Sequence, residues 1–247
     1  MEIPTITKII VRITAIIALV EFGIMLGFAN LPFHIGVYAE IILDVAMLVI
    51  VTTPMIYIWI IKPYVVARDD AINRISHMAY HDSLTQLANR RLLKEHLEKL
   101  ISRITREKSS GALLFIDLDE FKVINDKCGH DAGDAILIEV ANRLNSIVRD
   151  GDIVSRVGGD EFVVVLSHLD VDEQLVKHKA LAIAKRILQE LNKEIDFKNT
   201  AFQISASIGL RIVTTERISA ESAIKDADTA MYRAKQAGNG QVIVYSQ

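Results

Sequence analysis

Two apolar runs near the start of the chain limit its fold more than any other feature. Residues 9–28 are interrupted only by Arg12 and Glu21, and residues 37–61 by Glu40, Asp44 and Pro54. Each run meets the roughly 20 residues a helix needs to cross a hydrocarbon layer about 30 Å thick. A secretory signal fits the first run poorly. The run is long, lacks a small-residue cleavage site, and meets a second span at once. Residues 30–36 are the connecting turn, with Pro32 and Gly36 as breakers, and are too few for a sensor domain. Lys8 and Arg12 precede or open the first span, and Lys62, Arg68 and Arg74 follow the second, while the turn has no basic residue. Both termini are therefore expected on the cytoplasmic side, with Tyr57, Trp59 and Tyr64 as an inner interfacial belt. Glu21 and Asp44 carry two readings of equal weight: a functional pair inside the bilayer, or protonated carboxyls that help helices associate.

Beyond residue 63 the composition becomes that of an ordinary globular domain. Residues 64–247 hold 25 basic and 27 acidic residues, a balance that gives no support to a nucleic-acid partner. The single cysteine, Cys128, excludes an internal disulfide, fits a reducing compartment, and reads as a small filler. Residues 64–80 continue the second span as a helical stalk. Ile61, Val65, Ile72, Ile75 and Ala79 form an apolar stripe that suits a short coiled coil between two subunits or packing on the chain's own domain. The expected division is 1–63 hairpin, 64–80 stalk and 81–247 domain.

Within the domain, helices are predicted over 84–106 (Asp82 as N-cap, Ser109-Ser110-Gly111 closing it), 121–127, 135–148, 171–192 and 220–237. Strands are predicted over 112–116, 153–157, 162–166, 202–213 and 242–245. The turn Gly158-Gly159-Asp160-Glu161 joins two of them as a tight hairpin whose glycines permit positive φ. Hairpins inside an alternating pattern point to an α/β sandwich on a mainly antiparallel sheet, rather than a doubly wound parallel one.

Asp117-Leu118-Asp119 closes the first core strand, where carboxylates beside free carbonyls offer an oxygen cage for Mg²⁺. The glycine turn presents two more carboxylates. If the strands are neighbours, three or four acidic groups converge, an arrangement unfavourable without a cation.

Gly158-Gly159-Asp160-Glu161-Phe162 is, letter for letter, the signature of the GGDEF family of diguanylate cyclases, which this chain resembles over about residues 80–246. The likeness includes Asp82-Ser83-Leu84-Thr85 through Asn89-Arg90-Arg91, Asp117 through Asp126, Gly129-His130 with Gly133-Asp134, Ser207-Ile208-Gly209, and Ala227-Asp228 through Ala234-Lys235. The resemblance implies a nucleotidyl-cyclase or polymerase-palm-like domain that joins two GTP into cyclic di-GMP and two pyrophosphates. Asp117, the Leu118 carbonyl, Asp160 and Glu161 match positions holding two divalent metals, Mg²⁺ or Mn²⁺. Asp160 or Glu161 also matches the acceptor of the attacking hydroxyl's proton, and the sequence does not choose between them. Phe121, Lys122 and Lys235 match substrate-binding positions, the two lysines on the terminal phosphates. Asn125 and Asp134 match the guanine-reading pair, a donor and acceptor set that adenine would leave unpaired.

Three further positions matter. Asn239 stands where the family usually carries an arginine on the terminal phosphates, so one charge-assisted contact is missing. Arg149 and Asp152 match a product-inhibition site, where Arg grips guanine O6/N7 and Asp accepts from its N–H groups. The apolar hairpin and the resemblance together imply a multi-pass homodimer of the bacterial inner membrane, active when two GTP-loaded domains meet. A catalytically silent receptor for cyclic di-GMP or GTP, and a membrane interaction module working through the hairpin, are the other readings.

Overall fold

The computed structural model describes residues 6–30, 36–198, 200–216 and 218–246, with side chains except at 6 and 73–76. Pro32 and the side chains of Arg74 and Ile75, used above, lie outside the described residues. The chain divides into two compact units, Met1–Ser76 and His77–Gln247.

In the first unit α1 (Ile6–Ala29) packs on α2 (Val37–Ile56). Two helices here are long and apolar enough to cross a membrane. Ile16, Ile24 and Thr52 are buried, while most other large apolar side chains are exposed. The Thr52 hydroxyl donates to Leu48 O at 2.6 Å, so it needs no external partner. Pro54 offers no N–H to the helix, and a single π turn, Tyr57–Ile61, follows before α3 (Lys62–Tyr80). Ile61, Val65 and Ile72 of the expected stripe are exposed.

The second unit is built on a five-stranded sheet in the order β2 (Ile153–Gly158), β3 (Glu161–Asp170), β1 (Ser110–Leu118), β6 (Ala206–Val213), β7 (Val242–Val244). Every pairing is antiparallel except β6 with β7, which gives the mainly antiparallel sandwich expected. All nine residues of the central strand β1 are buried because helices cover both faces. Leu114, Ile116, Phe162 and Val164 pack under α5 (Phe121–Cys128), α6 (His130–Ile147) and α7 (Glu173–Leu191). Leu113, Phe115, Val163 and Val165 pack under α4 (Arg90–Glu107) and α8 (Ala220–Gln236). Each fully buried side chain of this size contributes about 1.5–3 kcal/mol. The two-residue alternation brings Asp117 and Glu161 out on the α4/α8 face. At Gly209 a Cβ would collide with the Ala227 carbonyl and Met231 N, so glycine lets α8 lie directly on β6.

Several boundaries differ from expectation. The helix predicted from 84 begins at Arg90, because Asn89 Oδ1 caps it by accepting from Arg91 and Leu92 N–H. Asp82 accepts instead from the Thr85 N–H and hydroxyl within its own turn. Lys108, at φ 52, closes α4, while Ser110 and Gly111 open β1. Helix α6 starts five residues early, at His130. The strand expected over 202–213 is shortened to β6, which begins at Ala206, and a short hairpin that was not expected, β4 (Ile195–Phe197) with β5 (Thr200–Phe202), precedes it. Cys128 is exposed, so it fills no core space.

Candidate active site

Strand register assembles the acidic cluster. Asp117 on β1 lies opposite Glu161 on β3, and Leu118 N–H donates to Asp160 O at 3.2 Å. The strand end and the glycine turn therefore meet side by side. Asp117 is only 6% exposed. Its Oδ1 is buried and sits 2.6 Å from Lys235 Nζ, the one cation paired with it among the described residues. Burial raises the Asp117 carboxyl above the ordinary aspartate range, with Asp160 and Asp119 adding to the rise and Lys235 opposing it. Burial likewise raises Glu161, and the carboxylates of Asp117, Asp228 and Asp160 push it further. Among the described residues no three acidic, histidine or cysteine groups already form a closed metal cage. The chemistry of the set nonetheless fits a divalent cation: a buried carboxylate met by a single lysine, and neighbouring carboxylates that raise one another's proton affinity. Asp119, two residues on, is satisfied within the fold. It accepts from Ser207 Oγ at 2.7 Å and from Gly240 N–H at 3.0 Å.

The turn corrects one expectation. Gly158 and Gly159 do not have positive φ; Gly129, Gly151, Gly238 and Gly240 do. What Gly158 supplies is room, since a Cβ there would lie 3.0 Å from Glu161 Oε2. Arg156, which sequence reasoning missed, donates to Gly159 O from Nε at 3.0 Å and Nη2 at 2.7 Å, and to Asp82 Oδ1 from Nη1 at 3.0 Å. Its signal is a charged arginine inside a mainly apolar strand, two residues before the turn.

The substrate-type residues come from α5, α6 and α8. Lys235 comes from α8, through its pair with Asp117. The Phe121 ring is buried, so the residue offers a ligand only its backbone, at the first turn of α5, where no side chain caps the helix. Lys122 is exposed beside it. Asn125 Oδ1 is buried without a partner, and a Cβ at Gly133 would collide with it, so that glycine opens the notch the amide faces. Asp134, next in sequence, is exposed on α6. Asn239 instead lines a separate 460 Å³ cavity with Asp119, Lys127 and Ser205. A 760 Å³ cavity on the α4/α8 face includes Glu161, Asp228, Arg90, Arg91 and Lys94. Asp228 and Arg90 were quoted from the sequence without a role.

Residues 79–241 match the family described as "Diguanylate cyclase, GGDEF domain". The chain belongs to the GGDEF family. It is 36% identical to the diguanylate cyclase TpbB of Pseudomonas aeruginosa over 167 residues, 67% of this chain and 37% of TpbB. The solved GGDEF domain of TpbB superposes with a TM-score of 0.63 at 34% identity, covering 68% of this chain and 95% of that one. The GGDEF domain of DgcB from Caulobacter crescentus, solved in complex with c-di-GMP, gives 0.62 at 25% identity over 68% of this chain and 94% of its own. The chain spans well under half of TpbB and as little as 15% of another curated relative.

On this GGDEF domain the second sequence-predicted site lies at the start of β2. Arg149 is 60% exposed in its side chain, and its Nη2 donates to the carbonyls of Ser167 and His168. The Asp152 carboxylate, expected to grip guanine, is turned inward with its side chain 3% exposed. It accepts from Ser167 N–H at 2.8 Å and Ser167 Oγ at 3.2 Å, so its lone pairs hold the fold.

Proposed function

We propose that this chain is a membrane-held diguanylate cyclase that condenses two GTP into cyclic di-GMP and two pyrophosphates. One observation carries the reading: the β1–β3 register sets Asp117 against Glu161, with Asp160 held beside them through Leu118 N–H.

Asp117, the Leu118 carbonyl, Asp160 and Glu161 would hold two Mg²⁺ or Mn²⁺, which when bound screen phosphate charge and acidify the attacking 3′-hydroxyl. The chain's own groups supply the rest. Asp160 or Glu161 would accept the hydroxyl proton as the 3′-oxygen attacks the α-phosphorus of the other GTP and pyrophosphate leaves. Lys235 and Lys122 bring positive charge to the terminal phosphates, and the uncapped N–H groups at Phe121 and Lys122 add backbone donors. Asn125 and Asp134 read guanine, the buried Asn125 oxygen accepting from its N–H edge. Each domain holds one GTP, so turnover needs two domains face to face. The exposed stripe at Ile61, Val65 and Ile72 supports a homodimeric stalk, and the two apolar helices support a multi-pass place in the bacterial inner membrane with the domain cytoplasmic. Cyclic di-GMP inhibits through Arg149, with Asp152 shaping the turn beneath it.

The test is product formation by the full chain in nanodiscs with GTP and Mg²⁺. A cyclic dinucleotide and pyrophosphate are expected, with at least about a 10³-fold loss in Asp160→Ala, the scale of removing a group that stabilises transition-state charge. Asn239 supports a second reading, a receptor without turnover. That reading prevails if the wild type binds cyclic di-GMP but forms none.

A further inference from the structure

Strand β2 does not hold the catalytic turn through an unbroken ladder. Its pairing with β3 shifts between Arg156 and Gly158, where regular register would otherwise fix the turn. The Arg156 side chain takes over: two of its N–H groups converge on the Gly159 carbonyl. The next carbonyl, that of Asp160, receives Leu118 N–H. The peptide between Gly159 and Asp160 is thus anchored at one end by Arg156, while β1 anchors the Asp160 carbonyl.

Arg156 is itself held. Its third donor reaches Asp82 Oδ1, and both side chains are largely buried, 14% and 24% exposed. Burial works to raise Asp82, but hydrogen bonds from Thr85 and Arg156, with the arginine's charge, outweigh it and keep the carboxyl below its ordinary range. The backbone runs parallel to this link. Arg156 N–H donates to Ala88 O, and Asn89 donates from N to Tyr80 O and from Nδ2 to Ala79 O, each at 2.9 Å. A continuous set of hydrogen bonds therefore runs from the last turn of α3, through residues 82–89, to the carbonyl preceding Asp160.

We propose that Arg156 is a positioning residue for Asp160 and Glu161, and that its pair with Asp82 couples the last turn of α3 to the placement of the catalytic turn. This rests on the cyclase reading above. Arginine's planar fork serves two acceptors in fixed directions, whereas lysine keeps the charge and loses the fork. Arg156→Lys is therefore the discriminating variant.

The experiment uses the full chain in nanodiscs and compares wild type, Arg156→Lys and Asp82→Asn. Readouts are kcat, KM for GTP, half-saturating Mg²⁺, thermal midpoint and amide hydrogen exchange. Arg156→Lys should lower kcat roughly ten- to hundredfold per folded molecule, the scale of an ångström-sized misplacement. Half-saturating Mg²⁺ should rise and KM should move little. Asp82→Asn, which keeps an acceptor, should shift the same quantities less. Exchange should quicken both at 158–161 and at 79–89 in Arg156→Lys. A loss that only tracks the unfolded fraction, with kcat per folded molecule and Mg²⁺ dependence unchanged, overturns positioning. Quickening at 158–161 while 79–89 stays protected overturns the coupling. An inactive wild type defeats the cyclase reading instead, and the exchange data then stand alone.

Discussion

The two ends of β2 each carry an acidic turn, and the acids are used in opposite ways. At the start, Asp152 is sunk into the fold and its oxygens accept from Ser167 N–H and Oγ. At the far end, Asp160 and Glu161 stand beside Asp117, whose buried Oδ1 has Lys235 as its one ion-pair partner among the described residues. The same contrast recurs two residues apart at the end of β1, where Asp119, just past the strand, is hydrogen-bonded to Ser207 and Gly240. A buried carboxylate that the fold satisfies stabilises it. One left among like charges costs stability, a cost chains retain where a ligand supplies the missing counter-charge.

The largest stability effect should come from the satisfied end. Asp152→Ala leaves the buried Ser167 N–H and hydroxyl without their acceptor, at about 2–3 kcal/mol. For a domain of this size that is a fall of about 4–12 °C in thermal midpoint by scanning calorimetry. Arg149→Ala, on an exposed side chain, should stay within about 0.5 kcal/mol while weakening inhibition by cyclic di-GMP in a turnover assay. Equal destabilisation by both variants would erase the contrast between buried anchor and exposed contact.

A smaller effect belongs to Asn239. Asn239→Arg restores a charge that can meet the terminal phosphates, worth about 1 kcal/mol at an accessible site, or roughly a fivefold lower KM for GTP. The turn is already tied to the acidic strand end through Gly240 N–H and Asp119. An unchanged KM would mean that residue 239, which lines the cavity with Lys127 and Ser205, points away from the nucleotide.

The acidic cluster was legible because its residues sit at a strand end and a hairpin turn, two places where sequence pattern fixes position well. The sheet's antiparallel character followed from the same hairpin. What sequence hid was local competition. Asp82 accepts from the N–H three residues on, as a helix cap does, yet Gln86 at φ 60 turns the chain away and Asn89 caps the helix instead. Gly158 reads as a backbone pivot but serves as space for Glu161. Whether Asp152 faces ligand or core depends on Ser167, fifteen residues away, and no local pattern records that pairing.

The last expectation concerns the unsatisfied end. Asp117 has a folded-state pKa raised above its unfolded one, chiefly by burial. The folded state then binds more protons than the unfolded state in the intervening window, so stability falls as pH rises from the ordinary aspartate range through the raised value. Without added metal, Asp117→Asn escapes that loss. It should melt about 2–4 °C above wild type at pH 8, near 1 kcal/mol, with the gap closing toward pH 4. Adding Mg²⁺ and GTP should raise the wild-type midpoint and leave the variant's nearly unchanged. Should Asp117→Asn melt below wild type at pH 8, its pair with Lys235 would outweigh burial and crowding, and Asp117 would belong with Asp119 and Asp152 as a structural acid.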